Sequence, residues 1–184
     1  LAVRTARRAA YTGRMERIAF IGGGNMASAI IGGLVESGVA PGAILVVEPL
    51  AARRDKLKAA FGIEPQAAAD TSLAGSDLVV WAVNPQTFAQ AAAPCADHVG
   101  QALHLSVMAG IRSDAIARSV RSERVVRAMP NTPALIGMGI AGLYARAAVS
   151  GADRERVERQ LATTWGTLRA ERRDDLDAVT ALAG

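Results

Sequence analysis

Residues 18–35 read IAFIGGGNMASAIIGGLV, an uncharged run in which a short apolar segment meets three glycines and an asparagine before a second apolar segment begins. The first part, 17–21 (RIAFI), reads as a strand ending at Gly22. The second, 25–37, reads as a helix, because Ala27, Ile30, Ile31 and Leu34 fall on one face at helical spacing and Gly38 follows as a stop signal. The turn between them, Gly22-Gly23-Gly24-Asn25-Met26-Ala27, fits G-x-G-x-x-A in the strand-to-helix setting this fingerprint requires. Gly22 permits the tight turn, Gly24 lets a pyrophosphate approach the backbone, and Ala27 lets helix and strand pack closely. The helix start offers free N–H groups and partial positive charge to phosphates. The stretch therefore predicts a dinucleotide-binding strand–turn–helix.

The same alternation runs outward from it. Residues 44–47 (ILVV) read as a strand and 51–61 as a helix, with Leu57 and Phe61 four apart. Residues 77–83 (DLVVWAV) form another strand, after which Asn84 supplies an N-cap and Pro85 a first helical position. Strands are expected at 102–107, 124–129, 140–145 and 167–171, with a helix near 113–121. A second helix carries Val157 and Leu161 behind a Ser150–Asp153 capping pair. This pattern predicts an α/β fold of the Rossmann type, a doubly wound, mostly parallel sheet with helices on both faces.

Composition removes other classes. The 184 residues carry a formal charge of +4, but Arg4, Arg7, Arg8 and Arg14 account for all of it. The remaining body is electroneutral, so no nucleic-acid partner is expected. Apolar content of 51% with 21% charged residues suits a packed core. Cys95 is the single cysteine, which suits a reducing, cytoplasmic compartment. His98 and His104 have no metal-ligand spacing, so no metal is expected. The uncharged stretches 18–35, 78–96 and 128–145 are each broken by glycine, proline or asparagine, so none is expected to span a membrane.

Glu48 ends the second strand, 21 residues after Ala27, where an acid commonly binds the adenosine ribose hydroxyls in NAD sites. Arg53 and Arg54 lie just downstream, where a 2′-phosphate would meet them; both equally suit a solvated helix face. The choice between NADP and NAD stays open at this point.

Four motifs carry a family resemblance: FIGGGNMASAIIGGL (20–34), WAVNPQ (81–86), SVMAGI (106–111) and RAMPNTPALIGMG (127–139). From Ile18 onward the chain resembles the pyrroline-5-carboxylate reductases, and DAVTALAG (177–184) resembles the start of that family's next segment. The resemblance implies hydride transfer from NAD(P)H to 1-pyrroline-5-carboxylate, giving L-proline in the final step of proline biosynthesis. It implies cofactor contacts at Ile21, Gly22, Gly23, Gly24, Asn25 and Met26, at Ala82, Val83, Asn84 and Pro85, and at Val107, Met108 and Ala109. Asn131 and Thr132 would lie near the substrate, at the nicotinamide end. No catalytic side chain is assigned, because imine reduction rests on positioning and the nicotinamide carries the hydride chemistry.

Each site residue also has a plainer role. Asn84 serves as an N-cap, Val107 and Met108 as core, and Asn131 with Thr132 as a turn between prolines. Two departures stand out. The family usually has Lys at Asn84, and often Ala at Met108, where the longer side chain is expected to crowd the nicotinamide pocket.

The expected organisation is a basic disordered arm over 1–14, a dinucleotide-binding domain over 15–172, and over 173–184 the stump of a helical domain that, in the family, dimerises. The alternative is a truncated, non-catalytic dinucleotide-binding module lacking the substrate and dimer segments. A hydroxy-acid dehydrogenase of the same superfamily is disfavoured by the PNTP loop.

Overall fold

The computed structural model describes residues 16–131, 139–171 and Leu176. Among them a seven-stranded sheet runs in the order β2-β1-β3-β4-β5-β6-β7. The strands are β1 (Ile18–Ile21), β2 (Ile44–Val47), β3 (Leu78–Trp81), β4 (Leu103–Ser106), β5 (Val125–Pro130), β6 (Ile140–Ala145) and β7 (Gly166–Arg169). β1 to β5 are parallel. The chain leaves β1 toward β2 and returns on its other side as β3, so the strand order reverses at β1/β3. Ligands of open α/β sheets bind at the carboxyl ends of the strands, at such a reversal.

The helices are α1 (Asn25–Glu36), α2 (Ala51–Phe61), α3 (Phe88–Ala92), α4 (Ala96–Val99), α5 (Ser113–Val120) and α6 (Gly151–Ala162). Alternate residues of the parallel strands feed two separate cores, as a sheet covered on both faces requires. Ile18 and Phe20 join one core with Ile30, Leu34, Leu57, Val157 and Leu161, from α1, α2 and α6. Ala19 and Ile21 join the other with Phe88, Val99, Ile116 and Val120, from α3, α4 and α5. The buried face of α1 is the expected one, Ala27, Ile30, Ile31 and Leu34.

Two local expectations change. The segment after Asn84 is not one helix. It is a 3-10 turn over Pro85–Thr87 followed by α3 and α4, with Pro94, which lacks an N–H, between them. The strand–helix alternation also lapses at β5, because β6 returns directly and pairs with it antiparallel. β7 then pairs parallel to β6. In addition, α1 lies tightly against the turn between α6 and β7. A Cβ on Gly33 would come within 2.2 Å of Thr164 Oγ1 and 2.8 Å of the Thr163 carbonyl oxygen.

Candidate functional site

The loops after β1, β2, β3 and β4 meet at the carboxyl edge of the parallel strands, joined by backbone hydrogen bonds. Gly22 N–H donates to the Val47 carbonyl at 2.9 Å, Ala82 N–H to the Ile21 carbonyl at 2.9 Å, and Val107 N–H to the Trp81 carbonyl at 3.1 Å. The segments implied by the resemblance on three strands are thus brought side by side.

The three consecutive glycines meet different demands. Gly22 has φ +99°, and a Cβ there would lie 2.5 Å from the Ala82 carbonyl oxygen. Only glycine combines that conformation with that approach. Gly24 faces open ground, the nearest atom to its absent Cβ being Arg53 Nη1 at 3.8 Å. That opening is the cradle a pyrophosphate needs. The first turn of α1 holds no acid and no side-chain cap, so its N–H groups and positive end are left for a ligand. The residues present fit a dinucleotide.

Gly23 was not singled out by the fingerprint, yet a Cβ there would sit 2.7 Å from Leu57 Cδ1 and 3.1 Å from Glu48 Cβ. Glu48 is the cause. Its side chain folds inward to 2% exposure, where Oε2 accepts the Gly23 N–H at 2.8 Å and Oε1 accepts the Leu50 N–H at 2.9 Å. Arg53 Nη1 stands 3.6 Å from Glu48 Oε2, with its side chain half exposed. Arg54 donates to the Glu48 and Pro49 carbonyls at 2.9 and 2.7 Å.

The other predicted residues divide by exposure. Asn25, Asn84, Pro85 and Ala109 are exposed, and Met26, Ala82 and Val83 are half-buried. Asn84 does cap: its Oδ1 accepts the Gln86 N–H at 3.0 Å. Val107 is buried in the core under α1 and α6, and Met108 in the core under α3 to α5. The Met108 side chain is therefore taken up by packing, which replaces the expectation that it crowds the nicotinamide pocket. Asn131 closes the β5–β6 pair, donating its N–H to the Ile140 carbonyl at 3.1 Å and accepting the Ile140 N–H on Oδ1 at 3.0 Å. Thr132 lies outside the described residues, as do most of the MPNT-to-Gly139 loop and 177–184.

Within the sheet, the Trp81 indole N–H donates to the fully buried His104 Nδ1 at 3.1 Å. Burial pushes the His104 imidazole down to about 4, opposed by the Val99 backbone and reinforced by the charge of Arg124. Burial pushes the Cys95 thiol up to about 11, so it is neutral at physiological pH. Among the described residues no helix is long and apolar enough to cross a membrane.

Comparison with known proteins agrees with this geometry. The family described as NADP oxidoreductase, coenzyme F420-dependent, matches residues 17–110. A pyrroline-5-carboxylate reductase of Pseudomonas aeruginosa is 40% identical over 172 residues, covering 91% of this chain and 62% of that protein. The chain thus spans about three fifths of the length of the curated relatives it matches. Among solved structures, a pyrroline-5-carboxylate reductase of Coxiella burnetii superposes with a TM-score of 0.85 at 28% identity, covering 93% of this chain and 64% of that one. The Plasmodium falciparum pyrroline carboxylate reductase with NADP bound shares the fold, with a TM-score of 0.77 at 22% identity over 92% of this chain and 62% of that one. The chain belongs to the NADP oxidoreductase, coenzyme F420-dependent family, and over nearly its whole length it is similar to pyrroline-5-carboxylate reductases.

Proposed function

We propose that this chain is the dinucleotide-binding part of a reductase that converts 1-pyrroline-5-carboxylate to L-proline with NADPH or NADH, the final step of proline biosynthesis. The observation that carries the reading is the glycine loop. It is wedged against the end of β3 at Gly22 and open at Gly24, in a chain 40% identical to a curated pyrroline-5-carboxylate reductase. The matching family's description and the NADP-bound relative of like fold support NADP as the cofactor.

Each segment has a role in this reading. Ile21 to Met26 and the start of α1 hold the pyrophosphate through backbone N–H groups. Ala82 to Pro85 and Val107 to Ala109 line the path toward the nicotinamide. When bound, the nicotinamide supplies a hydride to the ring C=N carbon. Asn131 and Thr132 stand next to the substrate, with Asn131 held in place by Ile140. The protein's contribution is to bring donor and acceptor carbons together and keep them aligned.

The domain division follows the same reading: residues 15–172 bind the dinucleotide, and 173–184 begin the helical domain that dimerises in the family. We assign the protein to the cytoplasm, which its single cysteine suits. A dinucleotide-binding module without turnover is the second reading, since the open glycine loop by itself accounts for binding alone.

Two measurements test these readings. The 184-residue chain should quench or shift NADPH fluorescence in a saturable titration; no saturable binding overturns both readings. NADPH absorbance should fall only when 1-pyrroline-5-carboxylate is added to a protein that also carries the remaining length of the relatives. Absence of that turnover, with binding intact, leaves the module reading.

A further inference from the structure

A polar pair sits in the interior on the side of the sheet that α3, α4 and α5 cover. Trp81 of β3 and His104 of β4 are both fully buried, and their rings stack at 6.2 Å and 25°. The indole N–H donates to His104 Nδ1. An indole N–H only donates, so Nδ1 accepts and the ring proton sits on Nε2. Burial keeps the imidazole neutral at physiological pH, which sustains that tautomer. Nε2 has no hydrogen-bond partner among the described residues. An apolar pair of similar shape would fill this space with no polar atom left over, and such replacements are nearly neutral or stabilising. Stability alone therefore does not account for the pair. What it adds is direction, because a hydrogen bond fixes the turn of the indole plane where apolar packing permits more than one.

That direction matters because of what is seated on Trp81. The residue ends β3, and its backbone begins the loop 82–87. Phe88, where that loop ends, meets the Trp81 ring edge-on at 5.3 Å and 88°. Between these ends the loop is bonded to itself through Asn84. Its Oδ1 accepts the Gln86 N–H at 3.0 Å, and its carbonyl accepts the Thr87 N–H at 2.9 Å and the Thr87 hydroxyl at 3.0 Å. The loop is thus one unit, placed by the two aromatic residues at its ends. The Trp81 carbonyl also accepts the Val107 N–H at 3.1 Å, which ties the loop after β4 to the same residue. Both segments assigned above to the path toward the nicotinamide therefore rest on one indole, and His104 is the side chain that hydrogen-bonds it.

We propose that His104 is a positioning residue: by accepting the Trp81 indole N–H it holds Trp81 in one orientation, and Trp81 in turn sets the loops 82–87 and 107–109 that receive the nicotinamide half of the dinucleotide. The proposal rests on the dinucleotide-binding reading above. His104 touches neither cofactor nor substrate and acts only through Trp81. The adenosine half lies over the loops after β1 and β2, which are held by other contacts, from Gly22 to Val47 and from Glu48 to Gly23 and Leu50. Loss of the pair should therefore be felt at one end of the ligand and not at the other.

The test compares NADPH with 2′-phospho-ADP-ribose, which lacks the nicotinamide, in calorimetric titrations of the 184-residue chain, with Tm measured for every variant. His104→Leu removes the acceptor and leaves the indole N–H unpaired. It should lower Tm, weaken NADPH by about fivefold or more and leave 2′-phospho-ADP-ribose within about twofold. His104→Gln offers an amide oxygen to the indole N–H and should recover most of the NADPH affinity. The double variant Trp81→Phe/His104→Leu leaves no polar atom in the pair, so its Tm should return toward the wild-type value while NADPH stays weakened. That split separates positioning from packing. Equal loss of both ligands in His104→Leu, or no loss of either, overturns the proposal. So does a His104→Gln variant that binds NADPH no better than His104→Leu, or NADPH affinity that recovers together with Tm in the double variant. If the wild-type chain binds neither ligand, the dinucleotide-binding reading fails and the proposal fails with it.

Discussion

The two edges of the parallel sheet are built from different materials. At the carboxyl edge the loops meet mainly through backbone, Gly22 against Ala82 and the Val47, Ile21 and Trp81 carbonyls accepting N–H groups from the loops above them, with the buried Glu48 carboxylate as a side-chain tie. At the amino edge backbone bonds recur, Asp77 N–H to the Arg17 carbonyl at 2.8 Å and His104 N–H to the Arg124 carbonyl at 2.9 Å, and charged side chains are added to them. Arg17, before β1, donates to the Ser72 and Ala74 carbonyls, and its backbone N–H donates to Asp77. Arg124, before β5, pairs with Asp153 of α6 at 2.8 Å, and Arg156 joins Asp153 to Glu16. The carboxyl edge therefore keeps open space and unused N–H groups for a ligand, while the amino edge closes with its polar groups bonded to each other. Binding and anchoring sit at opposite ends of the same strands, and each can be broken separately.

The largest effect is expected at the carboxyl edge. Gly22→Ala places a Cβ within 2.5 Å of the Ala82 oxygen at φ +99°, a steric and conformational penalty together. We expect a loss of roughly 4 kcal/mol in stability and of measurable dinucleotide binding. Gly38 provides the control, since it has φ +105° with nothing within 4 Å of its Cβ position. Gly38→Ala should cost about 1 kcal/mol by denaturant titration and leave binding intact. Equal outcomes at the two sites would mean that contact with β3 is not what Gly22 provides.

A smaller effect tests the middle of the sheet. His104 ionises near 4 in the folded chain against 6.5 for an ordinary imidazole. Above the higher value both folded and unfolded forms are neutral. As pH falls from about 6.5 to about 4 the unfolded chain takes up a proton the folded one refuses, so stability drops, by roughly 3 kcal/mol over the window. Below it both are protonated and the loss stops. Denaturation midpoints measured across this range should shift less in His104→Gln than in the wild type. An identical acid shift would remove His104 as its source.

The smallest effect is expected at the amino edge. Burial tends to raise the Asp153 pKa, but hydrogen bonding and charge from Arg124, then Arg156 and Ser150, outweigh it and hold the carboxyl below its usual value. Its stabilising contribution is present at neutral pH and is lost as pH falls through that lowered value. Asp153→Asn should cost about 1–2 kcal/mol at neutral pH and leave NADPH affinity within about twofold. A matching loss of affinity would show that the two edges are coupled.

Much of this was legible in the chain, for local reasons. The glycine loop, the buried face of α1, the Asn84 cap and the Ser150 cap each depend on residues a few positions apart, and periodicity and turn chemistry report such neighbours. The split of the helix after Asn84 was half legible, since Pro94 was visible but where the helix breaks depends on packing. The direction of β6 was not legible, because apolar alternation is the same for parallel and antiparallel strands. Gly23 and Gly33 looked like ordinary members of a glycine-rich run, because the residues that crowd them, Leu57 and Glu48 at Gly23 and Thr163 and Thr164 at Gly33, are distant in the chain.

The sequence by itself determined a strand–turn–helix with a phosphate cradle, set in an alternating α/β chain, because short-range spacing encodes those features. The tertiary structure decided where the charged side chains around the cradle go. It turned Glu48 inward onto the Gly23 and Leu50 N–H groups, left Arg53 at the opening, and locked Arg54 onto carbonyls. Spacing placed all three near the ribose. Only the folded chain, by burying one carboxylate and satisfying it with backbone donors, gave the three different surroundings.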